Sequence, residues 1–279
     1  MFCNVVIAFA LLAASSVGAA EKKLERTFAV SPGGVLTVDS DSATVRVSGG
    51  DSNQVTVRMS ARGSEEDLDE AKLEAVQTDG GVTVTLRLRK TNWLNWGSWN
   101  REASIEVTVP RRYAIDVHTS GGSVELTNTT GAANLRSSGG SILAKNVNGN
   151  VEARTSGGGI HADNIRGDID AATSGGSVRL LNIDGRIRGK TSGGSVECSL
   201  VGVNRGISAT TSGGSIRLTV PRATTGNLDA TTSGGSIDSD LPVTTTSQQN
   251  GRLKGAINGG GEPINAHTSG GSISLRAAN

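Results

Sequence analysis

Each Ser-Gly-Gly triplet from Ser120 onward is followed, four residues after its serine, by a β-branched apolar residue. These are Val124, Ile142, Ile160, Val178, Val196, Ile216, Ile237 and Ile273. Two positions further on stand Leu126, Ala144, Ala162, Leu180, Cys198, Leu218, Ser239 and Leu275, with mostly polar residues such as Glu125, Arg179 and Glu197 between the two columns. Such alternation is the period of a β-strand, whose successive side chains point to opposite faces. A second alternating segment precedes each triplet. One of its columns holds Ile115, Ala133, Val151, Ile169, Ile187, Ile207, Leu228 and Ile264; the next is mostly small, as at Ala153, Ala171, Gly189 and Ala209. The small column predicts a thin interior that a facing strand approaches closely.

The triplets begin at Ser120, Ser138, Ser156, Ser174, Ser192, Ser212, Ser233 and Ser269, in steps of 18, 18, 18, 18, 20, 21 and 36 residues. A fixed period signals units that bury their apolar sides only against their neighbours. The last step is twice the basic unit. Between the strands lie "NTTG", "NVNG", "NIRG" and "NIDG", beginning at Asn128, Asn146, Asn164 and Asn182. Asn and Gly at fixed offsets supply corner conformations that bulky residues resist. The unit therefore reads strand, Asn-Gly corner, strand, Ser-Gly-Gly corner, and stacked units predict an all-β chain ending in a β-solenoid of roughly 18-residue coils.

Residues 24–117 are patterned differently. "GVLTVDS", "ATVRVSG", "QVTVRMSA", "GVTVTLRLRK" and "ASIEVTVP" alternate and are bounded by turn signals, which predicts antiparallel or edge strands. "SEEDLDEAKLEAV" predicts one short helix, with Ser64 as N-cap and Leu68, Ala71, Leu73 and Val76 as its apolar stripe. The expected organisation is a signal peptide over 1–20, an N-terminal β region over 21–112 that caps one end, and the solenoid over 113–279.

The signal peptide rests on the apolar run "NVVIAFALLAASSVGAA", which ends in small residues before "EKKLER". Export to the periplasm, cell surface or medium follows, and no later stretch is long enough for a transmembrane helix. A single cysteine, Cys198, remains after cleavage, so no intrachain disulfide forms. Net charge is +1 with both signs interspersed, which lacks the basic footprint of a nucleic-acid binder.

Chemistry is sparse. "GRIRGKT", from Gly185 to Thr191, has three residues between its glycines where a P-loop needs four. His118, His161 and His267 are scattered; His118 and His267 share a column with Arg136, Arg154 and Lys190 that reads as a solvent-facing ladder. Cys198 stands in a packed column and reads as a buried thiol rather than a nucleophile. Asp163, Asp168, Asp170 and Asp184 could form a glycosidase-like pair, but nothing sets two of them apart. No cofactor, metal or catalytic residue is implied.

Two features remain as candidate binding sites. Trp93, Trp96 and Trp99, in "NWLNWGSWN", suit either a plug over the end of the core or a stacking platform for sugar rings. Thr119, Thr155, Thr173, Thr191, Thr211, Thr232 and Thr268 directly precede the triplet serine and stack into a hydroxyl ladder. Such a ladder either bonds to neighbouring corners or meets a glycan or an ice surface.

"VPRRYAIDVHTSGGSV", the serial "TSGGSI" and the closing "LKGAINGGGEPINAHTSGGSISL" resemble the bacterial putative-adhesin domain family, a family of unknown function with β-strand repeats. The resemblance covers most of the chain beyond its first twenty residues and implies a surface or periplasmic β-helical protein; it brings no established catalytic residues. The expected function is a non-enzymatic adhesin or envelope interaction scaffold, with a glycan, a cell-surface component or a second copy as partner. The alternatives are a carbohydrate- or ice-binding solenoid and a polysaccharide-active β-helix enzyme.

Overall fold

The structure is a computed structural model, and it describes residues 20–88, 102–249 and 251–278. Its chain divides into two compact units, residues 1–131 and 132–279. The described residues are all-β apart from one helical turn.

The first unit contains β1 (Ala20–Ala29), β2 (Val35–Ser40), β3 (Thr44–Gly50), β4 (Gln54–Gly63), α1 (Glu65–Asp69), β5 (Lys72–Thr78), β6 (Gly81–Arg87), β7 (Glu102–Pro110), β8 (Ala114–Thr119) and β9 (Val124–Thr130). One sheet runs β1-β4-β7-β3-β9 and the other β8-β2-β6-β5. β4–β7 pair antiparallel as expected, and so do β1–β4 and β5–β6, but β2 lies parallel to both β6 and β8, and β3 parallel to both β7 and β9. The parallel pairs show that the strand–corner–strand unit is present from Val35. Leu36 and Val38 sit opposite Ile115 and Val117, Val45 and Val47 opposite Val124 and Leu126, and all eight are buried.

The expected helix is cut short. Glu65–Asp69 turns once, burying Leu68, and Lys72–Thr78 is instead a strand. Seven residues of β5 pair with β6 across the turn at Asp79 and Gly80, so ladder hydrogen bonds outweigh helix propensity, and Val76 stays exposed.

The second unit alternates strand by strand between two sheets. The first sheet takes β11 (Ile142–Asn148), β13 (Ile160–Arg166), β15 (Val178–Asp184), β17 (Val196–Leu200), β19 (Ile216–Val220), β21 (Ile237–Ser239) and β25 (Ile273–Ala277). The second takes β10 (Ala133–Ser137), β12 (Val151–Arg154), β14 (Ile169–Ala172), β16 (Ile187–Lys190), β18 (Ile207–Thr210), β20 (Gly226–Thr232), β22 (Val243–Gln249), β23 (Arg252–Ile257) and β24 (Pro263–Thr268). Equivalent columns meet in register: Ile142 pairs with Ile160, Ile160 with Val178 and Val178 with Val196, and likewise Val151 with Ile169 and Ile169 with Ile187. The interior between the sheets is thin. A Cβ on Gly189 would come within 3.1 Å of Val196 and 3.4 Å of Val178 on the opposite sheet.

The Asn corners carry a backbone that most residues avoid. Asn128, Asn146, Asn164 and Asn182 have φ between 54° and 59°, the left-handed region where Asn is tolerated. The kink resets the alternation, so that Val147, Ile165 and Ile183 point inward as an additional buried column. The extra residues of the longer repeats fall at this corner too. In the 201–206 loop, Asn204 is buried, donates to the carbonyls of Thr225 and Glu262, and accepts from the Gly206 amide.

The stack does not follow sequence order at its far end. β24 lies between β18 and β20, and β25 between β19 and β21. The repeat at Ser269 is thus inserted between those at Ser212 and Ser233, so the triplets do not stack in the order in which they occur. The 36-residue step is filled by the antiparallel β22–β23 hairpin, which turns the chain back so that it can re-enter.

Candidate functional site

Strand parity decides what the Ser-Gly-Gly corners do. Ile115, Val117 and Thr119 alternate onto one side of β8, so the threonine shares the inward face of its apolar neighbours. Thr119, Thr155, Thr173, Thr191, Thr211, Thr232 and Thr268 are all no more than 7% exposed. Their hydroxyls donate to the adjacent repeat: Thr155 to the Gly140 carbonyl, Thr173 to Gly158, Thr191 to Gly176, Thr211 to Gly194 and Thr268 to Gly214, each at 2.7 Å. Thr232 donates to Gly271 at 2.6 Å and Thr119 to Ala43 at 3.2 Å. Several also accept from the amide three residues on, as Thr211 does from Gly214.

The second glycine of each triplet is a requirement of stacking. A Cβ on Gly176 would sit on the carbonyl of Gly158, and one on Gly194 on the carbonyl of Gly176. The serine after the glycines completes the corner, with the Ser195 amide donating to Ser177 Oγ and the Ser272 amide to Ser215 Oγ. At the opposite corner Asn164 Nδ2 donates to Asn146 Oδ1 and Asn182 Nδ2 to Asp163 Oδ1, both at 2.8 Å.

The carboxylates singled out as a candidate pair are dispersed. Asp163 accepts from Asn182 on the first sheet, and Asp170 is held by Arg154 on the second. Asp168 caps the Arg186 amide, and Asp184 lies 3.9 Å from Arg205. Cys198 is buried, and burial pushes its thiol up to about 12. His161 is half-buried, and desolvation, with Arg179 next in weight, pushes its imidazole down. Among the described residues no group of three or more His, Cys, Asp and Glu could hold a metal ion, and no helix is long and apolar enough to cross a membrane. Trp93, Trp96 and Trp99 lie outside the described residues, as does the expected signal segment up to residue 19.

What remains regular and exposed are the outward sides of the sheets. In the second unit, Arg136 reaches Glu152 at 3.2 Å and Arg154 reaches Asp170 at 2.8 Å, which holds the Arg154 guanidinium more strongly protonated. On the other sheet Arg179 meets Glu197 at 2.9 Å. In the first unit Arg46 lies between Glu106 and Glu125, and Arg87 binds Asp39 and Asp41. The Arg87 hydrogen bond holds the Asp39 carboxyl below its usual range. These cross-strand ladders were visible in the sequence only as interspersed charge, since their pairing depends on register.

Residues 35–276 match the family model described as Toastrack DUF4097. No curated protein matches the chain. Among solved structures, a putative adhesin from Bacteroides fragilis is similar at 11% identity, over 92% of this chain and 97% of its own, with a TM-score of 0.46. A putative lipid binding protein from Parabacteroides distasonis is similar at 16% identity, over 91% and 96%, with a TM-score of 0.45. A putative adhesin from the same organism shares 11% identity over 91% and 97%, with a TM-score of 0.43.

Proposed function

Because the chain belongs to the Toastrack DUF4097 family, a family without an assigned activity, we propose that it acts as an exported, non-enzymatic interaction scaffold of the adhesin kind. On this reading residues 1–20 direct export, residues 21–112 cap the stack, and residues 113–279 wind as a β-solenoid of roughly 18-residue coils. One observation carries the proposal. The groups that looked chemical in the sequence, the Thr, Gly and Asn of the corners, are engaged within the fold, as the Thr173 and Asn164 hydrogen bonds illustrate. The outward sides of the sheets are then the regular surface left for a partner. A scaffold needs this arrangement, whereas an enzyme needs groups that converge on a reacting atom.

Retention of bacterial cells and of glycan-coated beads by the immobilised full chain tests the reading. Retention above that of albumin-coated wells, lost when the chain is unfolded, is expected. A folded chain that retains neither would sink the proposal, and turnover of a polysaccharide by the pure protein would replace it with the enzymatic alternative.

A further inference from the structure

We infer that the outward side of the second sheet of residues 132–279 binds a linear acidic polysaccharide, through a window on β16, β18 and β24. The inference rests on the scaffold reading above and names its partner class. Pairing in register sets Arg188 beside Ser208 and Ser208 beside Asn265, and likewise Lys190 beside Thr210 and Thr210 beside His267. Arg188, Lys190, Asn265 and His267 are exposed, while Ser208 and Thr210 are half-buried between them. These three strands carry no carboxylate.

The carboxylates on the two strands that flank the window, β14 and β20, are already neutralised. On one side Asp170 is held by Arg154 at 2.8 Å. On the other Asp229 is held by Arg252 at 3.2 Å and by Lys254 at 3.7 Å. Arg188 reaches only the far oxygen of Asp170, at 3.8 Å, and among the described residues Lys190 and His267 form no ion pair. The outward row through Lys190 also holds Arg136, Arg154, His267 and Arg252, and no acid from β10 to β23, and Arg136, Arg154 and Arg252 are paired with Glu152, Asp170 and Asp229 of the neighbouring row. Strands spaced about 4.7–4.9 Å apart make this a row of roughly 34 Å. Lys190, with Arg188 in the next row, is the positive charge left open there on a chain whose net charge is only +1, so the field is local to this window.

The chemistry beside the cations selects the class of polyanion. Lys and Arg attract carboxylates, and the intervening Ser208, Thr210 and Asn265 offer both donors and acceptors to sugar hydroxyls. Single-stranded nucleic acid is held instead by aromatic stacking, and no aromatic residue follows Tyr113 in the chain.

Titration calorimetry of the full chain with polygalacturonate, dextran and single-stranded DNA, at low and at physiological salt, tests the window. Polygalacturonate should bind at low salt and weaken as salt rises, with dextran silent and DNA weaker. Arg188→Ser/Lys190→Ser should weaken polygalacturonate binding by about tenfold or more, whereas Arg217→Ser, on the opposite sheet, should leave it unchanged. Circular dichroism of each variant confirms the fold. Equal losses in the two variants, no binding of polygalacturonate, or DNA binding as tight as polygalacturonate would each overturn the inference. If the double variant still retains cells and beads as the parent does, the window fails and the scaffold reading stands. If the parent retains nothing, both fail.

Discussion

The hydroxyl of Thr191 donates to the carbonyl of Gly176 at 2.7 Å, reaching fifteen residues back into the preceding corner. Thr191 is buried and Gly176 half-buried, so the hydroxyl cannot be exchanged for hydration at no cost. Thr191→Val keeps the shape and removes the donor, leaving the Gly176 carbonyl unsatisfied. A loss of about 1–3 kcal/mol is expected in urea unfolding, with Thr191→Ser closer to the parent. An unchanged midpoint for the valine variant would show that the buried hydroxyl column does not hold the corners together.

A methyl group at the second glycine of a triplet should be worse. The Cβ of Gly194→Ala would lie 2.6 Å from the Gly176 carbonyl carbon, and backbone cannot rotate aside as a side chain does. Overpacking of this kind costs about 1–3 kcal/mol or more. Gly80→Ala, where nothing lies within 4 Å, serves as the comparison and should change the melting temperature little.

At the other corner, two substitutions separate backbone strain from hydrogen bonding. Asn164 has φ 57° and donates to Asn146. Asn164→Ala loses the bond and places a less tolerant residue in a region costing about 1–2 kcal/mol. Asn164→Gly loses only the bond, so thermal melts should rank parent above Gly above Ala. The reverse order of the two variants would contradict this account.

Cys198 should behave as a core residue. Burial raises its thiol to about 12, which keeps it protonated at neutral pH. Iodoacetamide at pH 8 should leave the peptide containing Cys198 unlabelled in the native protein and label it fully after denaturation, as read by mass spectrometry. Rapid native labelling would mean that the thiol is accessible.

The first unit should carry an acid-sensitive pair. Arg87 lowers the folded pKa of Asp39, so the stabilisation is fully present above the unfolded carboxylate value. It is lost as pH falls through the lower folded value, that is below about pH 4. Asp39→Asn should flatten the acid limb of the melting temperature against pH. A curve parallel to that of the parent would remove the pair from the account.

Much of this fold is written plainly in the sequence. Ile142, Ile160 and Val178 recur at one offset from their triplets and pair in that register. Thr119 stands two residues after Val117 and shares its inward face, a parity that the sequence carries but that the hydroxyl ladder, open to either reading, did not use. Neighbour order was not legible, because Ile216, Ile237 and Ile273 carry the same column identity. A repeat signal tells a residue its column but not which repeat it will lie against. The helix expected over Ser64–Val76 failed for a related reason: Leu73 and Val76 have helical spacing, but the strand partner that claims them lies beyond the turn. The positive window on β16, β18 and β24 needed the pairing of Thr210 with His267, 57 residues on, which follows from the inserted repeat.

That inserted repeat gives the stack a sense of time. Ser272 bonds to Ser215 across 57 residues, where Gly159 bonds to Ser141 across 18, and contacts closed over longer loops form later. Residues 263–277 come off the ribosome after both repeats they will lie between. A nascent chain halted before Pro263 would leave β21 without β25 and β20 with only β23 beside it. Assembly cannot run from one end to the other; it waits for a keystone, and only a chain extended past Ala277 can set it.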